Sequence, residues 1–215
     1  MRITLPSGTA AEVAGESTER GLVVVPDIMG LRPLFDEMTE RLAGEWNCHV
    51  VTPNLYQGQE HLDLQGRHDA AGGLADERVL GDMVEAADAT GATKVAAIGF
   101  CMGGMYVNKA VSTGRFHRLA SFYGMIHVPP IWASETQGDP LTLVGAGDAT
   151  RLLAVIGARD PYTLPDEVAE LAATGASIAA YDEAEHGFVH APDRPAHRPD
   201  DAADAWRRVD DWLWG

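Results

Sequence analysis

The stretch KVAAIGFCMGG, residues 94–104, decides the fold. Residues 95–98 form a short apolar run that predicts a buried strand, and residues 102–112 predict a helix. A strand that passes this sharply into a helix needs glycine, because side chains would collide where the two backbones cross. The pattern G-x-C-x-G from Gly99 to Gly103 therefore predicts a nucleophile elbow, with cysteine in place of the serine of G-x-S-x-G.

Cys101 is the candidate nucleophile of this elbow. It precedes a predicted helix, and the unpaired N–H groups and dipole of a helix N-terminus stabilise a thiolate there. An elbow also predicts that an acid and then a base follow at the ends of later strands. Asp160 follows the predicted strand 152–156, and His186 follows the predicted strand 177–181. We therefore expect a triad in which His186 accepts the thiol proton and Asp160 orients the imidazole.

Two backbone N–H groups are expected to stabilise the oxyanion of the reaction. One belongs to Met102, directly after the nucleophile, and the other to Ile28, in the loop PDIMG at residues 26–30. A structural cysteine in a glycine-rich turn is the alternative to the whole arrangement.

Strand-like and helical segments alternate along the chain, which is typical of an α/β protein with a mostly parallel sheet and helices on both faces. We predict one domain over residues 1–215. Residues 53–75 and 124–150 lack regular patterns and are predicted to be a surface excursion and an irregular loop that line the binding site. The predicted strands are 3–5, 11–13, 22–25, 49–52, 95–98, 119–123, 152–156 and 177–181, and the predicted helices are 33–42, 76–90, 102–112, 166–173 and 201–213.

Composition narrows the range of partners. The formal charge of −16 comes from 16 Lys+Arg against 32 Asp+Glu, and such a field repels nucleic acids and anionic membranes. The N-terminal residues lack the apolar core of a signal peptide, so we predict a cytoplasmic protein. Its two cysteines, Cys48 and Cys101, are too few for a disulfide framework and are expected to be thiols.

Six motifs together resemble the dienelactone hydrolases, a family of α/β-hydrolases with a cysteine nucleophile. The similarity covers nearly the whole chain. It implies a compact α/β-hydrolase fold without a separate lid domain, and hydrolysis of a small lactone or ester through a thiol acyl-enzyme with no metal or organic cofactor. The motifs are PDIMG at 26–30, GFCMGG at 99–104, FYG at 122–124, DPY at 160–162, HGF at 186–188 and ADAWRR at 203–208.

The resemblance also bears on residues around the thiol. In founding members of the family a glutamate stands at the position of Asp27 and bonds the resting thiol, so Asp27 is predicted to modulate Cys101. Aspartate is one methylene shorter, and a loop-stabilising role is the alternative. Dienelactone specialists hold the substrate carboxylate with arginines, one of them four residues after the catalytic histidine. This chain has His190 there, with Arg194 nearby, which leaves recognition of an anionic substrate open.

Adjacency to the predicted site selects the candidate substrate-binding residues. For each of them a place in the hydrophobic core is the alternative. They are Met29, Leu31, Tyr56, Phe100, Tyr123, Met125, Trp132, Phe188, His190 and Arg194.

Three other functions remain open at this stage. His186, His190, Asp193 and His197 suggest a metal site, but the glycine and prolines among them disfavour the helix that the spacing of the first pair needs. Cys101 could instead be an oxidisable thiol of a redox or stress-response protein, with Cys48 as its resolving partner or as a small core residue. The third alternative is a non-catalytic protein that binds a ligand in the same pocket. The chain is expected to be a monomer or a homodimer.

Overall fold

The computed structural model describes all 215 residues. Eight strands form one sheet in the order β1-β2-β4-β3-β5-β6-β7-β8. The strands are β1 (Arg2–Thr4), β2 (Ala10–Ala14), β3 (Arg20–Val25), β4 (His49–Pro53), β5 (Lys94–Phe100), β6 (Arg118–Phe122), β7 (Leu152–Gly157) and β8 (Ser177–Tyr181). The α-helices are α1 (Pro33–Glu45), α2 (Leu64–Ala70), α3 (Asp76–Ala89), α4 (Met102–Ala110), α5 (Pro140–Gly145), α6 (Pro165–Ala173) and α7 (Pro199–Trp214).

Most of the sheet is parallel. β1 pairs with β2, and β2 with β4, in antiparallel fashion, whereas every pairing from β4 to β8 across the sheet is parallel. The predicted mostly parallel sheet is therefore confirmed. Parallel strands are joined by helices that cover both faces, so their sequences are apolar throughout.

Alternation along the strands divides the core between the two faces. In β3, Val23 and Val25 pack into a cluster with Met83 of α3 and Met105 of α4. Leu22 and Val24 point the other way. This second cluster includes residues of α1 and α7, namely Phe35, Leu42, Val209 and Leu213.

Two segments are more regular than the sequence predicts. The segment 53–75 contains α2 and a 3₁₀ turn at Ala71–Gly73, and it buries Tyr56 and Arg67. The segment 124–150 contains α5 and two further 3₁₀ turns. Side chains of the preceding aspartates cap both short helices: Asp63 accepts from the Gly66 N–H at 2.8 Å, and Asp139 from the Thr142 N–H at 3.3 Å. Residues 57–65 are mostly exposed, so the segment lies at the surface as predicted, while Tyr56 and Arg67 pack inward.

The topology brings the predicted site to one edge of the sheet. β3, β5, β7 and β8 run parallel, so the loops that follow them meet at their common C-terminal edge. None of the helices is long and apolar enough to span a bilayer.

Candidate active site

Cys101 occupies the turn between β5 and α4 in a strained backbone conformation. Its φ of 55° and ψ of −116° lie in a region that non-glycine residues rarely adopt. The Cys101 N–H donates to the Phe122 carbonyl at 3.0 Å, which ties the turn to the neighbouring strand β6. Strain of this kind persists only where surrounding structure enforces it, and it is concentrated at functional sites.

Two glycines permit this turn. A Cβ on Gly103 would lie 2.2 Å from the Val25 carbonyl oxygen, and a Cβ on Gly99 would lie 2.3 Å from the Gly103 carbonyl oxygen. Both obstacles are backbone atoms, which cannot move aside without shifting β3 or α4. The close crossing of strand and helix that the sequence predicts is therefore confirmed.

We expect Gly103→Ala to lower the free energy of unfolding by about 3 kcal/mol or more, since the added methyl group overlaps β3 backbone. The matched control is Gly81→Ala in α3, where no atom lies within 4 Å of the added Cβ. That change should stabilise the protein by about 0.5–1 kcal/mol, because alanine favours the helix interior. Chemical denaturation measures both values. A Gly103→Ala variant as stable as wild type would show that the elbow is looser than described.

His186 and Asp160 form a hydrogen-bonded pair beyond the ends of β8 and β7. The His186 Nδ1–H donates to Asp160 Oδ2 at 2.8 Å, and the Asp160 side chain is fully buried. The other carboxylate oxygen accepts the Tyr162 N–H at 2.8 Å, which fixes the carboxylate plane. Nδ1 therefore carries a proton, and Nε2 is the nitrogen left to act on other groups.

The protonation of His186 reflects its neighbours. Burial lowers its pKa, but the hydrogen bond with Asp160 and the proximity of Cys101 outweigh burial and raise the pKa from 6.5 to about 10. Cys101 makes no aligned hydrogen bond with the imidazole in this geometry, and such bonds are often loose in enzymes without substrate. His186 is thus protonated beside Cys101 at neutral pH.

A cavity of about 460 Å³ contains both Cys101 and His186. Its walls are mainly apolar, and α2 and the loop after β6 contribute to them. The other lining residues are Asp27, Ile28, Met29, Arg32, Leu64, His68, Met125, Pro129, Ile131, Trp132, Tyr162 and Arg194.

Several predicted substrate-binding residues do not reach this cavity. Met29, Met125, Trp132 and Arg194 line it. The side chains of the others pack into or against the core, because strand alternation and tight turns direct them away from the thiol. Leu31 is partly buried against the second cluster, and the fully buried residues are Tyr56, Phe100, Tyr123, Phe188 and His190.

The cavity includes residues that the sequence interpretation missed. Tyr162 packs edge-on against the His186 ring at 5.0 Å, and its place directly after Asp160-Pro161 was an available signal. Leu64 and His68 lie on α2, and Ile131 lies in a 3₁₀ turn. These three come from the segments predicted as irregular, where no sequence pattern identifies the inward-facing side chains.

Asp27 is bonded to groups other than the thiol. Its carboxylate accepts two hydrogen bonds from the Arg32 guanidinium at 2.6 and 2.9 Å, one from His190 Nε2 at 2.8 Å and one from the Met29 N–H at 2.9 Å. Burial raises the pKa of Asp27, but the His190 and Arg32 hydrogen bonds outweigh it and hold the pKa well below its usual range. Modulation of Cys101 by Asp27 stays a prediction, and any such effect acts through charge.

His190 is the buried partner of this aspartate. Burial lowers its pKa, which favours the neutral ring. A carboxylate only accepts, so Nε2–H donates to Asp27, and the Nδ1 lone pair then accepts the Tyr123 hydroxyl. His190, four residues after His186, therefore holds the Asp27 carboxylate by a hydrogen bond and does not line the cavity.

The two predicted oxyanion donors belong to a residue of the cavity wall and to the residue directly after Cys101. Met102 is the first residue of α4, so its N–H has no carbonyl partner within the helix. Ile28 lines the cavity, and its N–H donates to no group of the chain.

The structure bears on two of the alternative functions suggested by the sequence, the redox protein and the metal site. Cys48 precedes β4 and Cys101 follows the seven-residue β5, so they lie at opposite edges of the sheet, about 20 Å apart. Cys48 is buried, its pKa is raised to about 12 by burial, and it cannot resolve an oxidised Cys101 within one chain. His186 and His190 have separate partners, Asp160 and Asp27, and do not converge as ligands.

Comparison with known proteins places the chain in a family. The sequence profile of the dienelactone hydrolase family matches residues 8–214. The chain belongs to the dienelactone hydrolase family. With hydrolases among its structural neighbours, this family membership makes the protein a lactone or ester hydrolase.

Individual relatives of this dienelactone hydrolase family member are distant in sequence. A protein of Methylorubrum extorquens named "Putative carboxymethylenebutenolidase" is 27% identical over 89% of this chain and 70% of its own length. A Bradyrhizobium protein named "Probable 2-oxo-3-(5-oxofuran-2-ylidene)propanoate lactonase" is 25% identical over 87% of this chain and 80% of its own length. The crystal structure of a "Putative Dienelactone Hydrolase" from Klebsiella pneumoniae superposes with a TM-score of 0.87, at 22% identity over 99% of this chain and 97% of the other.

Proposed function

We propose that the protein hydrolyses a small lactone or carboxylic ester through a covalent thiol acyl-enzyme, with Cys101, His186 and Asp160 as its catalytic triad. One observation carries the proposal. A cysteine on a strained elbow and a histidine held by a buried aspartate, contributed by three different strand ends, lie together, and the cysteine and histidine line one apolar cavity. A cysteine with a purely structural role requires neither this backbone strain nor a neighbouring imidazolium.

The first half-reaction forms the acyl-enzyme. His186 already holds the proton of the Cys101 thiol, and the Cys101 thiolate attacks the carbonyl carbon to give a tetrahedral oxyanion. The N–H groups of Ile28 and Met102 stabilise that oxyanion. When the C–O bond breaks, the imidazolium gives its proton to the departing alkoxide, which in a lactone remains attached as the hydroxyl of the opened ring.

The second half-reaction restores the enzyme. His186, now neutral, removes a proton from water, and the hydroxide attacks the thioester carbonyl. Collapse of the second tetrahedral intermediate releases the carboxylic acid, and the thiolate and imidazolium are regenerated. Asp160 remains ionised throughout and stabilises the imidazolium.

The cavity walls indicate an apolar substrate body. Ile131, Leu64 and Tyr162 are three of the five large apolar side chains that the protein exposes, and all three line the cavity. Exposed apolar groups grouped around a site contact ligand. The names of the two curated relatives, a butenolidase and a lactonase, support a lactone as one substrate class.

Arg194 is the candidate for recognition of an anionic substrate group. Of the two arginines in the cavity, Arg32 is committed to Asp27, whereas Arg194 has no carboxylate within 4 Å. A free guanidinium in an apolar cavity favours a substrate with a carboxylate.

We expect Arg194→Gln to raise KM for an ester or lactone bearing a carboxylate about tenfold or more, and to leave kcat and the KM of a neutral aryl ester nearly unchanged. The control is Arg151→Gln, a half-buried arginine paired with Asp148 and outside the cavity. Steady-state kinetics on a matched pair of charged and neutral substrates provide the comparison. Equal effects on both substrates would show that Arg194 does not recognise the substrate carboxylate.

A substrate screen tests the proposed function itself. Wild type, Cys101→Ala and Cys101→Ser are compared on lactones, aryl esters and thioesters, with peroxide consumption measured in parallel. We expect turnover of at least one lactone or ester by wild type and not by Cys101→Ala. Peroxide consumption without ester or lactone turnover would replace the hydrolytic proposal by the redox alternative.

A further inference from the structure

The distribution of paired and unpaired cations singles out a second site. Eleven of the 16 lysines and arginines lie within 4 Å of a carboxylate. In a chain with a net charge of −16, most cationic side chains are expected to pair with a carboxylate. The five exceptions are Arg20, Arg67, Lys94, Arg118 and Arg194.

Three of the five exceptions share one place in the fold. Arg20, Lys94 and Arg118 are the first residues of β3, β5 and β6, which are neighbours in the sheet. Arg20 stands opposite Lys94 in the register, and Arg118 stands opposite Ala96, two residues further along the same strand. The three cations therefore form a row at the N-terminal edge of the parallel strands, away from the edge that holds Cys101.

These cations surround a cavity of about 450 Å³. Its other lining residues include His117 and the indoles of Trp212 and Trp214. The Arg118 guanidinium lies 4.7 Å from the Trp212 ring centroid, and the Arg20 guanidinium 5.3 Å from that of Trp214. Stacking on indole fixes the plane of a guanidinium and leaves its N–H edge available for an acceptor.

Hydrogen bonds within the chain use only part of these donors. Arg118 donates to the Thr150 carbonyl at 3.2 Å and Arg20 to the Trp46 carbonyl at 3.4 Å. Two anionic groups line the cavity, the Glu19 side chain and the Gly215 carboxylate, and neither lies within 4 Å of the three cations. Asp210 interacts electrostatically with Arg20 but does not line the cavity. Three cations against two anions leave the cavity lining with a net positive charge and no close ion pair.

We propose that this cavity binds a phosphate-bearing small molecule or free phosphate. Two guanidinium forks and one ammonium match the several oxygens and the double charge of a phosphate, whereas a single carboxylate would neutralise only one of them. The indoles beside them offer contact area to the organic part of a ligand, and the volume exceeds what a bare oxyanion needs. The site is independent of the hydrolytic activity proposed above.

A purely structural role for the cations makes a different prediction. α7 ends at Trp214, next to the cavity, and cations near a helix C-terminus complement its dipole. In that case loss of a cation lowers the melting temperature and leaves the protein without specific affinity for phosphate.

The test is isothermal titration of the full chain with inorganic phosphate and with adenosine monophosphate, at constant ionic strength. We expect saturable binding at one site, weakened about tenfold or more in Lys94→Gln and Arg118→Gln. Lys94 is exposed, so its replacement keeps the fold intact. Tighter binding of the nucleotide than of phosphate would identify an organic phosphate as the ligand, and equal binding would identify the oxyanion alone.

Two control variants make the titration specific. Arg41→Gln removes an arginine that stacks on Trp206 but is paired with Glu45, and Cys101→Ala removes the proposed nucleophile. Both should bind phosphate as wild type does. Absence of saturable binding of either probe up to about 10 mM would overturn the proposal, as would binding that Lys94→Gln and Arg118→Gln leave unchanged.

Discussion

Replacing Cys101 with alanine is expected to lower kcat/KM for ester or lactone hydrolysis about 10⁴-fold or more, with the melting temperature within a few degrees of wild type. The covalent route requires the sulfur, and residual rates in triad enzymes without their nucleophile come only from binding and the oxyanion donors. The Cys101 side chain is only half-buried, so its removal opens no closed cavity.

Cys101→Ser is the conservative companion to this change. A hydroxyl fits the elbow but ionises far less readily than a thiol, so the serine variant should fold normally and remain far below wild type in activity. Equal activity of wild type and Cys101→Ala, measured with purified protein on the substrate found by the screen, would show that hydrolysis does not use this thiol.

Replacing Asp160 with asparagine is expected to lower kcat on the order of 10²–10⁴-fold. Asparagine keeps the size of the side chain but removes the charge that favours the imidazolium, and it allows the wrong His186 tautomer. KM should change little, because Asp160 is buried beneath His186 and does not line the cavity. An unchanged kcat would exclude Asp160 from the triad.

The same variant has a distinct pH signature. In the wild type the hydrogen bond with Asp160 helps to raise the pKa of His186 to about 10, and in Asp160→Asn we expect this pKa to fall toward the ordinary 6.5. Titration of the imidazole ring protons by NMR measures both values. A His186 pKa that is the same in both proteins would contradict the charge coupling.

The free energy of unfolding should depend on pH because of the same shift in the His186 pKa. The pKa of His186 is higher in the folded protein than in the unfolded chain, so the folded state binds its proton more tightly. Its contribution to the free energy of unfolding is fully present below about pH 6.5, declines as the pH rises, and is lost above about pH 10. Asp160→Asn should flatten this decline, and denaturation of both proteins from pH 6 to about pH 10 would reveal it.

The parts of the site that sequence could predict are those tied to strand ends. Cys101, Asp160 and His186 each follow a short apolar strand, and a parallel sheet brings such positions to one edge. The glycines of the elbow were equally predictable, because backbone crossing excludes a Cβ whatever the rest of the fold does.

The cavity walls were less predictable, for two physical reasons. α2 and α5 are short helices whose positions depend on tertiary contacts, such as the hydrogen bond from the Tyr56 hydroxyl to the Arg67 carbonyl at 3.2 Å. Short segments of this kind carry too little periodicity to reveal their inward faces. Phe100 is a different case: strand alternation places it with Ile98, on the face covered by α1 and α7, and that could have been read from the sequence.

Trapping the covalent intermediate tests the central claim most directly. Wild-type protein is mixed with a 4-nitrophenyl ester, quenched in acid within the first turnovers, and examined by mass spectrometry of the intact chain and of its peptides. We expect one added acyl group, located on Cys101 and absent from Cys101→Ala. An acyl group on any other residue, or hydrolysis by wild type that Cys101→Ala matches, would contradict a thiol acyl-enzyme at this elbow.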